Sequence, residues 1–257
     1  MEPEKTQTSL PENAYRELKP GEEYTPVMPA SSNPKEVTPY SVTMGVVMAV
    51  VFSAAAAFLG LKVGQVFEAA IPIAIIAVGV GNLTGRKNML GQNVIIQSIG
   101  ATSGVIVAGA IFTLPALFLW AGEGKMETPG ILEITLIAFI GGILGVLFMV
   151  PLRNALIVRE HGILPYPEGT ACAEVLLAGE EGGANASTVF AGMGIAAIFK
   201  FIIDGLKLVP SEVSFRVKGY AGEIGTQIYP AVMSVGYICG PRISSYMFAG
   251  GIVSWLV

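Results

Sequence analysis

The stretch from Ile131 to Leu152 is an almost unbroken apolar run. About 20 apolar residues in a helix cross the hydrocarbon core of a bilayer. Backbone groups inside that core find no water, so a spanning segment must satisfy its own hydrogen bonds, and an α-helix does so within a single segment. Comparable apolar runs occupy Ser41–Leu61, the later part of Met89–Trp120, Thr188–Val209 and Thr226–Val257, with a shorter one at Val66–Val80. Composition agrees with this confinement: 53% of the residues are hydrophobic and only 13% charged, against roughly a quarter charged in soluble domains. The expected fold is all-α, a polytopic membrane helical bundle with broken or re-entrant helices. About six or seven hydrophobic segments are expected in residues 41–257, behind a polar tail over residues 1–40.

The tail carries seven acidic residues, four basic ones and seven prolines. It cannot bury enough apolar surface to fold alone, so extended or disordered chain is expected. Its prolines suggest that it lies along something. The first apolar run begins too late and runs too long for a secretory signal, and reads as a signal-anchor and first span.

Within the spans, small and polar residues mark where the helices pack or break. Gly60 and Gly64 have the spacing that lets backbones approach closely, and Gly141, Gly142 and Gly145 mark a packing face on Ile131–Leu152. Val66–Val80 is short, holds Pro72 and starts near Glu68, so it reads as re-entrant or kinked. Met89–Trp120 is too long for one simple span and contains Pro115. Its polar start reads as a cavity-lining and possibly broken helix. A polar loop is expected over Glu180–Ser187. The last apolar run is interrupted at Gly240-Pro-Arg242, where Arg242 could pair with an acid or bind a lipid phosphate.

Leu164-Pro-Tyr-Pro-Glu-Gly-Thr-Ala-Cys-Ala-Glu174 is a compact polar block in this oily chain. Its prolines forbid a regular helix through Leu164–Pro167. A helix is expected to start there, with Pro167 in its first turn and Glu168 near the positive end of its dipole. Gly179 is expected to end it.

Several function classes are excluded. Net charge is −4 and no basic block exists, which argues against nucleic acid as a partner. The one histidine, His161, is too few for a zinc or His-dependent catalytic site. It reads as a loop residue and a candidate pH sensor. No G-x-S-x-G occurs, and Cys172 and Cys239 form no C-x-x-C pair, so no enzyme, metal site or cofactor is expected.

The candidate substrate-binding residues are Gln92, Asn93, Gln97, Ser98, Thr102 and Ser103, read as a polar stripe at membrane depth; interhelical hydrogen bonding is the alternative. The candidate proton-coupling or gating residues are Glu68, Glu168, Glu174, Lys200 and Asp204. An acid partly withdrawn from water can shuttle protons near neutrality. Lys200 and Asp204 stand four apart on one helical face, and a structural ion pair is the alternative. Loop charge orients the chain. With the tail cytoplasmic, Arg86, Lys87, Arg153 and Arg159 also fall inside, as basic loops prefer, while Lys62, Lys125, Arg216 and Lys218 fall outside.

Gly60-Leu-Lys-Val-Gly64, Gly109-Ala-Ile-Phe-Thr-Leu-Pro-Ala116 and the Leu164–Glu174 block together resemble the oligopeptide transporter (OPT) family. Glu17-Leu-Lys-Pro-Gly21, Lys200-Phe-Ile-Ile-Asp204 and Gly236-Tyr-Ile-Cys-Gly240 add to the resemblance, which runs from about Tyr15 onward and is closer to the prokaryotic and yellow-stripe-like type. The resemblance implies a multi-pass secondary transporter of the inner or plasma membrane, moving small peptides or metal–chelate complexes with protons. Family members are longer, so the chain is expected to be an N-terminal part. Its partners would be substrate, protons, membrane lipid, and further transporter segments or an oligomeric partner. The alternative is a non-coupled channel or a structural subunit of a membrane assembly.

Overall fold

The structure is a computed structural model and describes residues 9–29, 31–64, 66, 68–86, 89–181, 184–210, 212–216, 223–227 and 230–256. Lys87, Lys218 and the first eight residues of the tail lie outside the described residues. Among the described residues the fold is all-α apart from one small hairpin. It divides into two compact units, Met1–Tyr166 with Cys172–Glu181, and Pro167–Ala171 with Gly182–Val257.

The first unit is built on three packed helices. α1 (Pro39–Val63) begins at a capping box: Ser41 N donates to Thr38 Oγ1 at 3.1 Å, and Thr38 N donates to Ser41 Oγ at 2.9 Å. Pro39 takes the first helical position, where its missing N–H costs nothing. Gly64 ends the helix at φ 73°, donating to Gly60 O at 2.8 Å. The two glycines of Gly60-Leu-Lys-Val-Gly64 therefore do different jobs. Gly64 caps, whereas Gly60 is a contact point, where a Cβ would stand 2.7 Å from Ile111 Cδ1.

α2 (Ala70–Leu83) has 14 residues, about 21 Å of helix against a hydrocarbon core of ~30 Å. Pro72 lies in its first turn, where it breaks no hydrogen bond, so the expected kink is absent. Short as it is, α2 is central to the core. Ala69, Ile73 and Ala77 pack with Ile96 and with Tyr40, Met44, Met48 and Phe52 of α1. Ala70, Ala74 and Val78 pack with Cys172 and Leu176.

α3 (Leu90–Gly122) is one helix of 33 residues that passes through Pro115 without interruption, so the break considered for this segment is not there. It runs parallel to α1, since Thr38 meets Gln92, Gly45 meets Ile99, and Gly60 meets Ile111. It is antiparallel to α2, with Gly100 against Ile73 and Gly81 against Met89. Glycine permits these approaches: a Cβ at Gly100 would lie 2.8 Å from Ile73 Cδ1 and 3.3 Å from Met48 Cβ.

α4 (Ile131–Arg153) is capped by Glu133, whose Oε2 accepts from Gly130 N at 2.9 Å. It widens into a π-helical turn over Asn154–Arg159. α5 runs from Pro167 to Glu181. Pro167 opens it as expected, but Gly179 does not end it. That glycine is buried against Val78, where a Cβ would stand 2.3 Å from Val78 Cγ1. Close packing, not chain reversal, requires glycine there.

In the second unit, α6 (Ala184–Lys200) passes into a π-helical turn over Phe201–Gly205. The loop expected over Glu180–Ser187 is therefore helical from Ala184 onward. β1 (Glu212–Arg216) and β2 (Glu223–Gln227) form an antiparallel hairpin with Ser214 opposite Gly225. α7 (Pro230–Leu256) is bent at Gly240, whose φ of 75° and ψ of 170° are non-helical, just before Pro241. Here the interruption expected from sequence is present.

Among the described residues, three helical segments are long and apolar enough to cross a membrane: Pro39–Lys62, Leu90–Gly122 and Ile131–Arg159.

Candidate functional site

Three regions hold the candidate residues. The first is the N-terminal half of α3. At about 100° per residue, Asn93, Ile96, Gly100, Ser103, Gly104 and Val107 share one face, and that face is buried. Ser98 and Thr102 point the other way and are exposed. Gln92 and Gln97 flank the buried face and are half-buried. The six polar residues therefore divide between two faces.

Their partners differ accordingly. Gln92 Oε1 accepts from Thr38 Oγ1 at 2.9 Å, tying the start of α3 to the cap of α1. Thr102 Oγ1 donates back to Ile99 O at 2.7 Å, a local bond that satisfies the hydroxyl within its own helix. Ser98 Oγ donates to Gln97 Oε1 at 3.4 Å. Asn93 Oδ1 and Ser103 Oγ are buried and have no hydrogen-bond partner among the described residues. Such atoms carry an unmet desolvation cost of about 1–3 kcal/mol, so they are where a water, ion or substrate polar group would gain most.

The second region is the Leu164–Glu174 block. Tyr166 OH donates to Leu156 O at 2.9 Å, holding the block against the π-helical turn. Glu168 lies half-buried in the first turn of α5, where the helix dipole favours a negative charge. Glu174 is exposed and accepts from Tyr15 OH at 2.5 Å. That bond pushes the Tyr15 phenol up to about 12. Glu68 is exposed in the link before α2.

The third region is the end of α6. Lys200 Nζ and Asp204 Oδ2 stand 2.8 Å apart as an i, i+4 pair, both about a third exposed. The pair joins the helix to its own π-helical turn. Arg242 is exposed in α7.

Sequence reasoning had the tail lying along something but missed its local fold and its dock. Asn13, Tyr15 and Arg16 are part of a folded segment that reaches His161, Gly162 and Glu174. The signal available was the turn-forming Lys19-Pro-Gly21 inside an acidic stretch, with Arg16 as a cation for Glu22 to meet. Cys172 and Cys239 are free cysteines. No group of three His, Cys, Asp or Glu side chains able to hold a metal ion occurs among the described residues.

Long apolar helices, glycine contacts at helix crossings and a proline-rich re-entry into α5 define a multi-pass membrane protein of the all-α class. Residues 36–257 match the family model of the OPT oligopeptide transporter proteins, and the chain belongs to that family. It is 32% identical over 204 residues to a putative oligopeptide transporter of Haemophilus influenzae, covering 77% of this chain and 31% of the relative. It is 26% identical over 221 residues to a probable metal-nicotianamine transporter, YSL17, of Oryza sativa subsp. japonica, covering 78% of this chain and 30% of the relative. The chain thus spans about a third of the length of these relatives. No solved structure matches it.

Proposed function

We propose that the chain forms part of a secondary active transporter that takes up small oligopeptides or metal–chelate complexes with protons across the cell membrane. The family match over residues 36–257 carries this reading. The relatives' names, one for oligopeptides and one for metal-nicotianamine, support the two substrate classes. The buried face of α3, with Asn93 and Ser103 unpartnered beside Gly100 and Gly104, is the proposed substrate-facing wall, with Gln92 and Gln97 at its edges; Ser98 and Thr102, on the opposite face, are the secondary candidates. Glu168 is the proposed proton or gate residue. Glu68, Glu174 and the Lys200–Asp204 pair are further candidates for coupling.

The parallel course of α1 and α3, with α2 returning between them, supports a cytoplasmic tail. On that reading Arg86 lies on the tail side, and one more crossing by α4 would bring Arg153 and Arg159 there too, as basic loops prefer. The glycines of α4 meet nothing within 4 Å, which supports lipid and further protein, either other transporter segments or an oligomeric partner, as its neighbours.

Reconstitution into proteoliposomes with an imposed pH gradient tests the reading. Saturable uptake of a labelled tripeptide or a metal–nicotianamine complex, faster with acid outside, is the expected result. Uptake indifferent to the gradient removes proton coupling, and conductance without saturation replaces the transporter with a channel. Glu168→Gln is expected to flatten the pH dependence. An unchanged profile would reduce Glu168 to a carboxylate at a helix start.

A further inference from the structure

The tail is more than a leader to α1. Its early part forms a small polar fold around the 3-10 turn Glu12–Ala14. Both terminal nitrogens of Arg16 donate to Glu22, each at 2.8 Å, and Lys19 N donates to Glu22 at 2.9 Å. This fold touches the turn between α4 and α5, and α5 itself, at three points. His161 Nε2 lies 2.8 Å from Asn13 O, with the Tyr24 ring tilted against the imidazole at 5.3 Å between centroids. Tyr15 OH donates to Glu174. The Arg16–Glu17 peptide bond crosses Gly162 so closely that a Cβ there would lie 2.3 Å from both Arg16 C and Glu17 N. Gly162 also has φ 76°, so glycine is required there twice over, by conformation and by the crossing chain.

We infer that residues 11–24 are a releasable strap, docked on the His161–Gly162 turn and on Glu174, which holds the connection between α4 and α5 in place. The docking is made of polar contacts and one close backbone crossing. None of the described residues from 9 to 38 is fully buried. A segment with little buried apolar surface opens at low free-energy cost. The link through residues 25–38 keeps a released strap near its dock, at the high effective concentration of an intramolecular partner. Docked, the strap occupies a Glu174 oxygen and pins the turn ahead of the Pro165–Pro167 block. Released, it frees both. The inference concerns the tail alone and stands whether or not protons or peptides are carried.

The crossing itself supplies the assay. The Arg16–Glu17 bond is a trypsin site and lies against Gly162 when the strap is docked, Lys19–Pro20 is resistant because proline follows, and the bond after the exposed Lys35, outside the strap, serves as the internal reference. In the intact protein in detergent micelles, cleavage at Arg16 is expected to be slower than at Lys35. Gly162→Ala is expected to speed Arg16 cleavage about tenfold, because a methyl overpacked against the crossing chain weakens the docked state. Tyr15→Phe removes one hydrogen bond and is expected to give about fivefold, with cleavage at Lys35 unchanged in both. Gly162→Ala strains the turn directly and could fail to fold. Tyr15→Phe leaves that turn untouched and then decides alone. Arg16 cleavage as fast as Lys35 in the unaltered protein, or unchanged by Tyr15→Phe, overturns the strap.

Discussion

α1 and α4 are both apolar helices of membrane length, yet they use glycine in opposite ways. In α1, Gly45 and Gly60 lie where α3 crosses, and any Cβ would strike Ile99 or Ile111. In α4, Gly141, Gly142 and Gly145 face open space, and no residue of that helix is buried. The hydrophobic effect cannot explain the difference, because lipid tails are as apolar as leucine. Shape explains it. α1, α2 and α3 interlock through missing side chains, while α4 presents its small residues to whatever lies beside it, lipid or protein.

The sharpest way to break that contrast is to place the same side chain on both surfaces. Gly100→Val forces methyls against Ile73 and Met48, and is expected to cost about 1–3 kcal/mol, read as a lower unfolding midpoint in detergent. Gly142→Val in α4 is expected to stay within about 0.5 kcal/mol, as for other surface substitutions. An equal loss at both positions would show that the α4 face is packed, and would move α4 into the interlocked group.

A second test separates packing from transport on α3. Ser103 is 1% exposed and Asn93 3% exposed, and each holds an unpartnered oxygen. Ser103→Ala removes a buried hydroxyl that gains nothing in return, so the change is expected to be neutral or stabilising by up to about 1 kcal/mol. Lost uptake together with unchanged or raised stability would mark Ser103 as substrate-facing. Lost stability would mean that the hydroxyl is bonded and helps glue the helices. Thr135→Val serves as the control, because its exposed hydroxyl is satisfied within α4 by Ile131 O at 2.7 Å and belongs to no candidate site.

Much of the helical layout was legible because span length and apolar composition set it directly. Ile131–Leu152 and Ser41–Leu61 each lie within two residues of the observed helix ends. The break at Gly240-Pro-Arg242 was legible too, since proline after glycine offers both a missing donor and a permitted positive φ. Gly179 and Pro115 were misread for a shared reason. Each residue can break a helix or sit inside one, and residue type alone does not say which. For Gly179 the deciding neighbour is Val78, distant in sequence. The polar residues of α3 looked like one stripe as a list, but about 100° per residue divides them between two faces. The strap was legible only in part: the prolines suggested that the tail lies along something, but its contacts join residues about 150 positions apart, and polar tail composition does not say where it docks.

The smallest expected effect contrasts the strap with the helices through pH. The Arg16 guanidinium holds the Glu22 carboxyl down to about 2, from an ordinary 4.5. A depressed carboxyl stabilises the folded tail above its unfolded value and loses that contribution as pH falls through its folded one. Tyr15 is pushed the other way, from 10 to about 12, by its hydrogen bond to Glu174. A raised phenol contributes fully below 10 and loses its contribution as pH rises through 12. From these two groups the strap is expected to hold between about pH 4.5 and 10 and to loosen beyond both ends. The Arg16–Glu22 pair is partly exposed and screened by solvent, so its signature is a titration midpoint and not a large change in stability. Carboxyl carbon NMR of Glu22 is expected to show that midpoint near 2, moving toward 4.5 in Arg16→Gln. A midpoint of 4.5 in the unaltered protein would mean that the pair does not form, and the tail would lose the internal ion pair that shapes it for docking.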